Sequence, residues 1–165
     1  MKNLITAGFL GREELERLPG VPAIEALKAK KSLAFIECGE EIPCDPCRSA
    51  CPRGAITVSP DVTSLPALNT DLCNGCGTCL AACPGMAIFL VDIGYSETEA
   101  LVSIPYEYLP LPEVGDTGNA LDRSGKAIGK AVIVKVKCPE SYDRTAIITI
   151  KVLKDISLEA RHIDI

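Results

Sequence analysis

The sequence has no tryptophan, and aromatic residues make up only 4% of its 165 positions. Small and medium-sized aliphatic side chains must therefore fill any hydrophobic core. The chain has one histidine, His162, and a general acid–base role for it would need partner groups that the sequence does not indicate. No G-x-G-x-x-G run occurs, so no dinucleotide-binding site is indicated. We therefore expect a protein with no catalytic residues of its own, which is not an enzyme by itself.

Long apolar runs and basic runs are also missing. No stretch approaches the ~20 apolar residues that a membrane-spanning helix needs. Residues 1–10 are mildly apolar, but charged residues 12–17 follow at once, which favours a soluble helix over a signal peptide. The net charge is −5, and no basic patch marks a nucleic-acid or anionic-membrane partner. We expect a cytoplasmic protein with neither kind of partner.

What the sequence does have is cysteine, with nine in all. In a reducing compartment, clustered cysteines bind metal more often than they form disulfides, and the odd number also argues against a pure disulfide framework. Eight of them fall into two runs, which are Cys38, Cys44, Cys47, Cys51 and then Cys73, Cys76, Cys79, Cys83. A proline follows each run. The ninth, Cys138, lies outside both and is expected to be a packed structural thiol.

The two runs form an internal repeat. Cys44, Cys47 and Cys51 have the same spacing as Cys76, Cys79 and Cys83, and the similarity continues beyond the prolines. Each unit is predicted to be a strand, a cysteine loop, a short helix carrying the last cysteine, and a second strand. Two such units predict an α+β fold with a pseudo-twofold axis.

The second run reads C-x2-C-x2-C-x3-C-P, a spacing that holds a 4Fe–4S cluster while its fourth cysteine binds the other cluster. Thiolates are the soft, anionic ligands that iron in such clusters prefers. We therefore assign cluster one to Cys38, Cys44, Cys47 and Cys83, and cluster two to Cys73, Cys76, Cys79 and Cys51.

Zinc is the main alternative metal. Four-thiolate zinc sites usually pair two C-x2-C motifs, and they need neither the additional cysteines nor the prolines found here. A second alternative concerns Cys38, because residues 39–43 make a five-residue gap where two residues are expected. Either the longer loop still delivers Cys38, or cluster one is altered or missing.

Residues 38–91 resemble the dicluster bacterial-type ferredoxin domain, through the two cysteine runs described above. The wider layout is similar to the ferredoxin-like small subunit of multi-subunit FAD-dependent amino-acid and amine dehydrogenases, of the proline or hydroxyproline type. This second resemblance depends on residues 36–38, 42–47 and 105–116. It implies a hetero-oligomer in which flavoprotein dehydrogenase subunits carry FAD or FMN and this chain does not.

Three parts are expected along the chain. Residues 1–32 are a leader or docking segment, residues 33–92 the dicluster domain, and residues 93–165 a small antiparallel β-rich domain. In the last part, residues 127–136 and 145–153 give the strongest strand patterns, with a hairpin turn at residues 122–125. Pro105 predicts an edge strand, and residues 156–163 a terminal helix.

The leading functional hypothesis is electron transfer through two 4Fe–4S clusters, as a subunit of an oxidoreductase complex. Two alternatives stay open, a freely diffusible ferredoxin with an extra domain and an iron–sulfur redox-sensing regulator.

Overall fold

The computed structural model describes all 165 residues as short helices around antiparallel strands. The strands are β1 (Ser32–Ile36), β2 (Ile56–Thr57), β3 (Ala67–Leu68), β4 (Ile88–Asp92), β5 (Glu99–Tyr106), β6 (Thr117–Leu121), β7 (Ala127–Lys137), β8 (Ala146–Leu153) and β9 (His162–Asp164). The helices are α1 (Lys2–Ala7), α2 (Arg12–Leu15), α3 (Ile24–Lys30), α4 (Pro46–Ser49) and α5 (Thr78–Ala82), with 3₁₀ turns at Glu140–Tyr142 and Lys154–Ile156.

One sheet of seven strands, in the order β1-β4-β5-β8-β7-β6-β9, runs through both halves of the chain. Every neighbouring pair in it is antiparallel. Strand β4 pairs with β1 on one side and with β5 on the other. The sheet therefore crosses residue 92, where we expected one domain to end and another to begin. A separate two-stranded sheet joins β2 to β3.

The main core lies where β5 and β8 meet at the centre of the large sheet. Val102, Ile104, Ile148 and Ile150 alternate along these strands and are fully buried, as the β-branched pattern of the sequence predicts. Leu27 of α3 covers the same core. The leader thus contributes directly to the hydrophobic core.

The leader also makes backbone hydrogen bonds to the cysteine-rich region. The N–H of Ile36 donates to the carbonyl of Gly20, and the N–H of Leu68 donates to the carbonyl of Pro19. A side chain at Gly20 would have its Cβ only 2.6 Å from the Cβ of Ile36, so this close approach requires glycine. None of the chain's helices has the length and apolar character that crossing a bilayer would require.

The predicted terminal helix is wrong. Residues 154–156 form a 3₁₀ turn, and β9 then pairs with β6, placing Ile163 opposite Ala120. Ile163 is buried there, and this tertiary pairing decides the local conformation over helical propensity. The hairpin at residues 122–125 is confirmed: Asp122 Oδ1 accepts hydrogen bonds from the N–H groups of Ser124 and Lys126.

Two smaller expectations also fail. Strand β5 is central and not an edge strand, and it tolerates Pro105 because the pairing with β4 ends at Ser103 and only β8 lies beside the proline. Cys138 is exposed and not packed, and it lies one residue beyond the end of β7 at Lys137.

Replacing Ile150 by alanine should lower the free energy of unfolding by about 2–5 kcal/mol, because the side chain is fully buried between Val102 and Ile133. Urea denaturation followed by circular dichroism measures this. Leu153→Ala, on the same strand but 55% exposed, is the matched control and should change stability little. Equal losses in the two variants would contradict this account of the core.

Candidate functional site

The first cavity of interest is lined by four cysteines, Cys38, Cys44, Cys47 and Cys83. Cys38 follows β1, and the next two come from the loop leading into α4 and from α4 itself. Cys83 comes from the other repeat unit, at the end of α5. The aliphatic side chains of Ile36 and Ile88 line the same cavity. The structure thus gathers the four residues assigned to cluster one by their spacing.

A second cavity is lined by the other four, Cys51, Cys73, Cys76 and Cys79. Three of these belong to the second run, and Cys51 lies two residues beyond the end of α4 in the first unit. Each cavity therefore takes three cysteines from one run and one from the other. The sequence predicts the same exchange.

The two exchanged cysteines make the same backbone contact. The N–H of Ala55 donates to the sulfur of Cys51 over 3.3 Å, and the N–H of Ala87 donates to the sulfur of Cys83 over 3.4 Å. In both cases the donor lies four residues beyond the cysteine. The turn after each of the two prolines, Pro52 and Pro84, therefore directs a backbone N–H group at a cysteine sulfur.

The loop of the second run depends on two glycines with left-handed backbone, Gly75 at φ +69° and Gly77 at φ +82°. This conformation turns the chain tightly around Cys76. Burial raises the pKa of Cys76, but hydrogen bonds from the Thr78 hydroxyl and from the loop's own N–H groups outweigh it and lower the pKa overall. The loop therefore favours the thiolate form of Cys76 at a position that is exposed.

The two buried thiols behave in the opposite way. Burial, followed by the nearby cysteines of the same set, raises the pKa of Cys47 to about 11 and that of Cys79 to about 12. Four thiolates gathered in such an apolar place repel one another and lack solvent. Cationic iron would offset both costs, because it stabilises each thiolate directly.

The arrangement of sulfur atoms also bears on which metal fits. A tetrahedral zinc ion with Zn–S bonds of about 2.3 Å would draw its sulfurs to within about 3.8 Å of one another. The cysteines instead line cavity walls, and no three of the chain's Cys, His, Asp or Glu side chains group closely enough for a single ion. All-sulfur donors spread around a cavity fit a cluster of several irons, with each thiolate on a different iron.

The five-residue gap after Cys38 does not remove this cysteine from its set. The loop curls back, so that Glu40 and Ile42 line the cavity together with Cys38. Burial raises the pKa of Cys38, while a backbone N–H at Glu40 lowers it to a smaller extent. The loop ends where the N–H of Cys44 donates to the carbonyl of Val62.

A buried ion network lies directly beside Cys38, and sequence reasoning did not find it. Glu37, 8% exposed, accepts hydrogen bonds from Arg123 Nε at 2.7 Å, Arg123 Nη2 at 2.6 Å and Arg161 Nε at 2.8 Å. Arg161 Nη2 lies 2.7 Å from Oε1 of Glu37 without a hydrogen-bonding direction, so that contact is purely ionic. Burial raises the pKa of Glu37, but the two guanidinium groups outweigh it and lower the pKa overall.

The network is also tied to the surrounding chain. Arg123 Nη1 donates to Glu159 Oε2 at 2.6 Å, and its Nη2 donates to the carbonyl of Leu158 at 2.9 Å. The guanidinium of Arg161 lies over the ring of Phe89, 4.9 Å from its centroid. The only signal in the sequence is that these arginines lie near apolar residues. The sequence does not show which carboxylate they contact.

Comparison with known proteins adds independent support for the cysteine sites. Residues 66–89 match the model of the 4Fe-4S binding domain family. Over 51 residues the chain is 41% identical to the ferredoxin-type protein NapF of Escherichia coli (strain K12). This match covers 30% of this chain and 31% of that protein. It is 38% identical over 58 residues to the ferredoxin-type protein NapF of Haemophilus influenzae, covering 34% and 33%.

The chain thus spans about a third of the length of the curated relatives it matches. No solved structure matches it. The segment that matches the 4Fe-4S binding domain family contains Cys73, Cys76, Cys79 and Cys83, and all four line the two cavities.

Replacing Gly75 by alanine should reduce the iron bound and the melting temperature. The left-handed backbone costs a residue other than glycine about 1–2 kcal/mol, and the new Cβ would lie 2.7 Å from Ser32 Oγ. Iron per chain, measured beside the unchanged protein, tests this. Gly85→Ala is the control, because a Cβ there meets no atom within 4 Å. Unchanged iron in Gly75→Ala would show that the loop does not need this conformation.

Proposed function

We propose that the protein carries electrons through two 4Fe–4S clusters. Cluster one is held by Cys38, Cys44, Cys47 and Cys83, and cluster two by Cys73, Cys76, Cys79 and Cys51. The observation that carries the proposal is the pair of cavities, each lined by four cysteines with three from one run and one from the other.

Bound clusters of this kind supply one-electron redox chemistry. The chain's own residues bind them, shield them from water and place them next to each other. Cys47 and Cys79 are buried in one apolar cluster with Ile56, Leu80 and Ile88, so apolar protein and not solvent separates the two sites. Helices α4 and α5, which lead into the exchanged cysteines, pack against each other. Such neighbouring sites suit the passage of single electrons from one cluster to the other.

The proposal extends to a partner. The protein acts as the electron-transfer subunit of a flavin-dependent dehydrogenase complex that oxidises an amino acid or an amine, with FAD or FMN on the other subunits. Support comes from the resemblance of residues 36–38, 42–47 and 105–116 to that kind of subunit. The connection between β5 and β6 also exposes Tyr108, Leu109 and Val114, with Leu109 86% exposed. Neighbouring exposed apolar side chains are typical of a protein–protein contact.

Replacing either exchanged cysteine should remove one cluster. The unchanged protein should bind about eight irons per chain, and Cys83→Ala or Cys51→Ala should leave about four, because each removes one ligand from a different set. Iron analysis and the visible absorbance of the purified protein measure this. Cys138→Ala, an exposed cysteine outside both cavities, is the control and should keep all the iron. Full retention in Cys83→Ala and Cys51→Ala would overturn the ligand assignment.

Purification of the tagged chain from its native host should recover flavin-containing chains in fixed proportion to it. Leu109→Ser and Val114→Ser should weaken this association, because they remove apolar area from the proposed contact. Leu153→Ser, exposed at the end of β8, should not. Flavin absorbance and subunit ratios after gel filtration provide the measurement. A chain that elutes alone with its iron and without flavin would favour a freely diffusible ferredoxin.

A further inference from the structure

We infer that Glu37 is a positioning residue for cluster one, and that Arg123 and Arg161 from the C-terminal half of the chain hold it in place. These three residues do not line the first cysteine cavity, and they act through Cys38. The inference depends on the proposed function, because it takes Cys38 as a ligand of cluster one.

Glu37 is fixed at both its backbone and its side chain. Its N–H donates to the carbonyl of Ala87 at 2.8 Å, which extends the pairing of β1 and β4 by one residue. Its carboxylate receives three charge-assisted hydrogen bonds of 2.6–2.8 Å from two arginines. Charge-assisted bonds to a planar guanidinium restrict direction as well as distance. The next residue along the chain is Cys38, so its position is restricted by the same contacts.

Such restriction is needed at Cys38 because of the long gap that follows it. Residues 39–43 separate Cys38 from Cys44, whereas two residues separate Cys73 from Cys76. A longer loop leaves its ends freer relative to each other, and closing it costs more conformational entropy. Glu41 in this loop is exposed. From this loop a backbone N–H at Glu40 reaches Cys38, and the charge-assisted support comes from the upstream side, where Glu37 lies.

The second repeat unit positions its first cysteine differently. The carbonyl of Asn69 accepts a hydrogen bond from the N–H of Cys73 at 3.2 Å. The Asn69 side-chain oxygen accepts from the N–H groups of Asp71 at 3.0 Å and Leu72 at 3.4 Å. This is a local turn of the kind that asparagine favours. Leu72, which precedes Cys73, is 41% exposed and belongs to no ion network. Cluster two therefore needs no help from residues 123 and 161.

The two arginines in turn depend on the far end of the chain. Arg123 lies in the hairpin between β6 and β7, and Arg161 directly precedes β9. Arg161 Nη1 donates to the carbonyls of Ala160 and Ser157, and the N–H of Arg161 donates to the carbonyl of Leu121. The C-terminal strands are thus connected to Cys38 through Glu37. The contacts of Arg123 and Arg161 with Glu37 should therefore be required for cluster one and not for cluster two.

The test is the variant Glu37→Gln, which keeps the shape of the side chain and removes its charge. It is made in the full chain alone, with Cys51→Ala and with Cys83→Ala, so that each cluster can be followed separately. With Cys51→Ala, where only cluster one can form, Glu37→Gln should remove most of the remaining iron. With Cys83→Ala, where only cluster two can form, it should leave about four irons per chain. Glu99→Gln, which breaks the Glu99–Lys151 pair on the sheet, is the charge-matched control.

A second readout separates positioning from general support of the fold. In the reduced Glu37→Gln protein, the electron paramagnetic resonance spectrum should change from that of two interacting clusters to that of one isolated cluster. Equal iron loss from both backgrounds would mean that the network supports the whole fold, and it would overturn the inference. Full retention in both would overturn it too. The proposed function is tested separately by Cys51→Ala and Cys83→Ala without Glu37→Gln. It would be contradicted if these variants did not halve the iron per chain.

Discussion

The pairing of β1 with β4 is the contact on which the rest of the molecule depends. It sets Ile36 opposite Ile88, and the added bond from Glu37 to Ala87 continues it toward the cysteines. Cys38 and Cys83, which belong to different repeat units, are thereby brought to the same cavity. Because β4 also pairs with β5, the same strand joins the cysteine sites to the C-terminal strands. Cutting the chain at residue 92 would leave the edge of β4 unpaired.

Burial and charge are balanced differently in the two kinds of site. The cysteine cavities are lined by apolar side chains and place four potential anions together, and only a bound cation makes that arrangement favourable. The network at Glu37 is complete within the protein itself, because two arginines face the Glu37 carboxylate and Glu159 supplies a second negative charge to Arg123. Replacing one member would leave a buried charge without its partner, which costs about 3–5 kcal/mol in comparable sites.

Much of this arrangement could be predicted from local sequence. The grouping of Cys51 with the second run and of Cys83 with the first follows from spacing, and the strands around Ile133 and Ile150 follow from β-branched patterns. The sequence could not show that a strand forms in place of the predicted terminal helix. That strand forms because it pairs with the free edge of β6, which the sequence does not reveal. Glu37, Arg123 and Arg161 meet across 124 positions of the chain. No local pattern connects them.

The separation of Glu37 from Arg161 has a consequence for how the protein is made. Chains are synthesised and begin to fold from the N-terminus, at about 5–20 residues per second. The turn at Asn69 can form as soon as Cys73 has emerged from the ribosome, since all its hydrogen bonds are local. Cys38 emerges earlier still, yet its anchor is incomplete until Arg161 follows. The cysteine that is synthesised first is therefore the last to be secured, and iron insertion at the two proposed cluster sites should occur in the reverse of their order in the sequence.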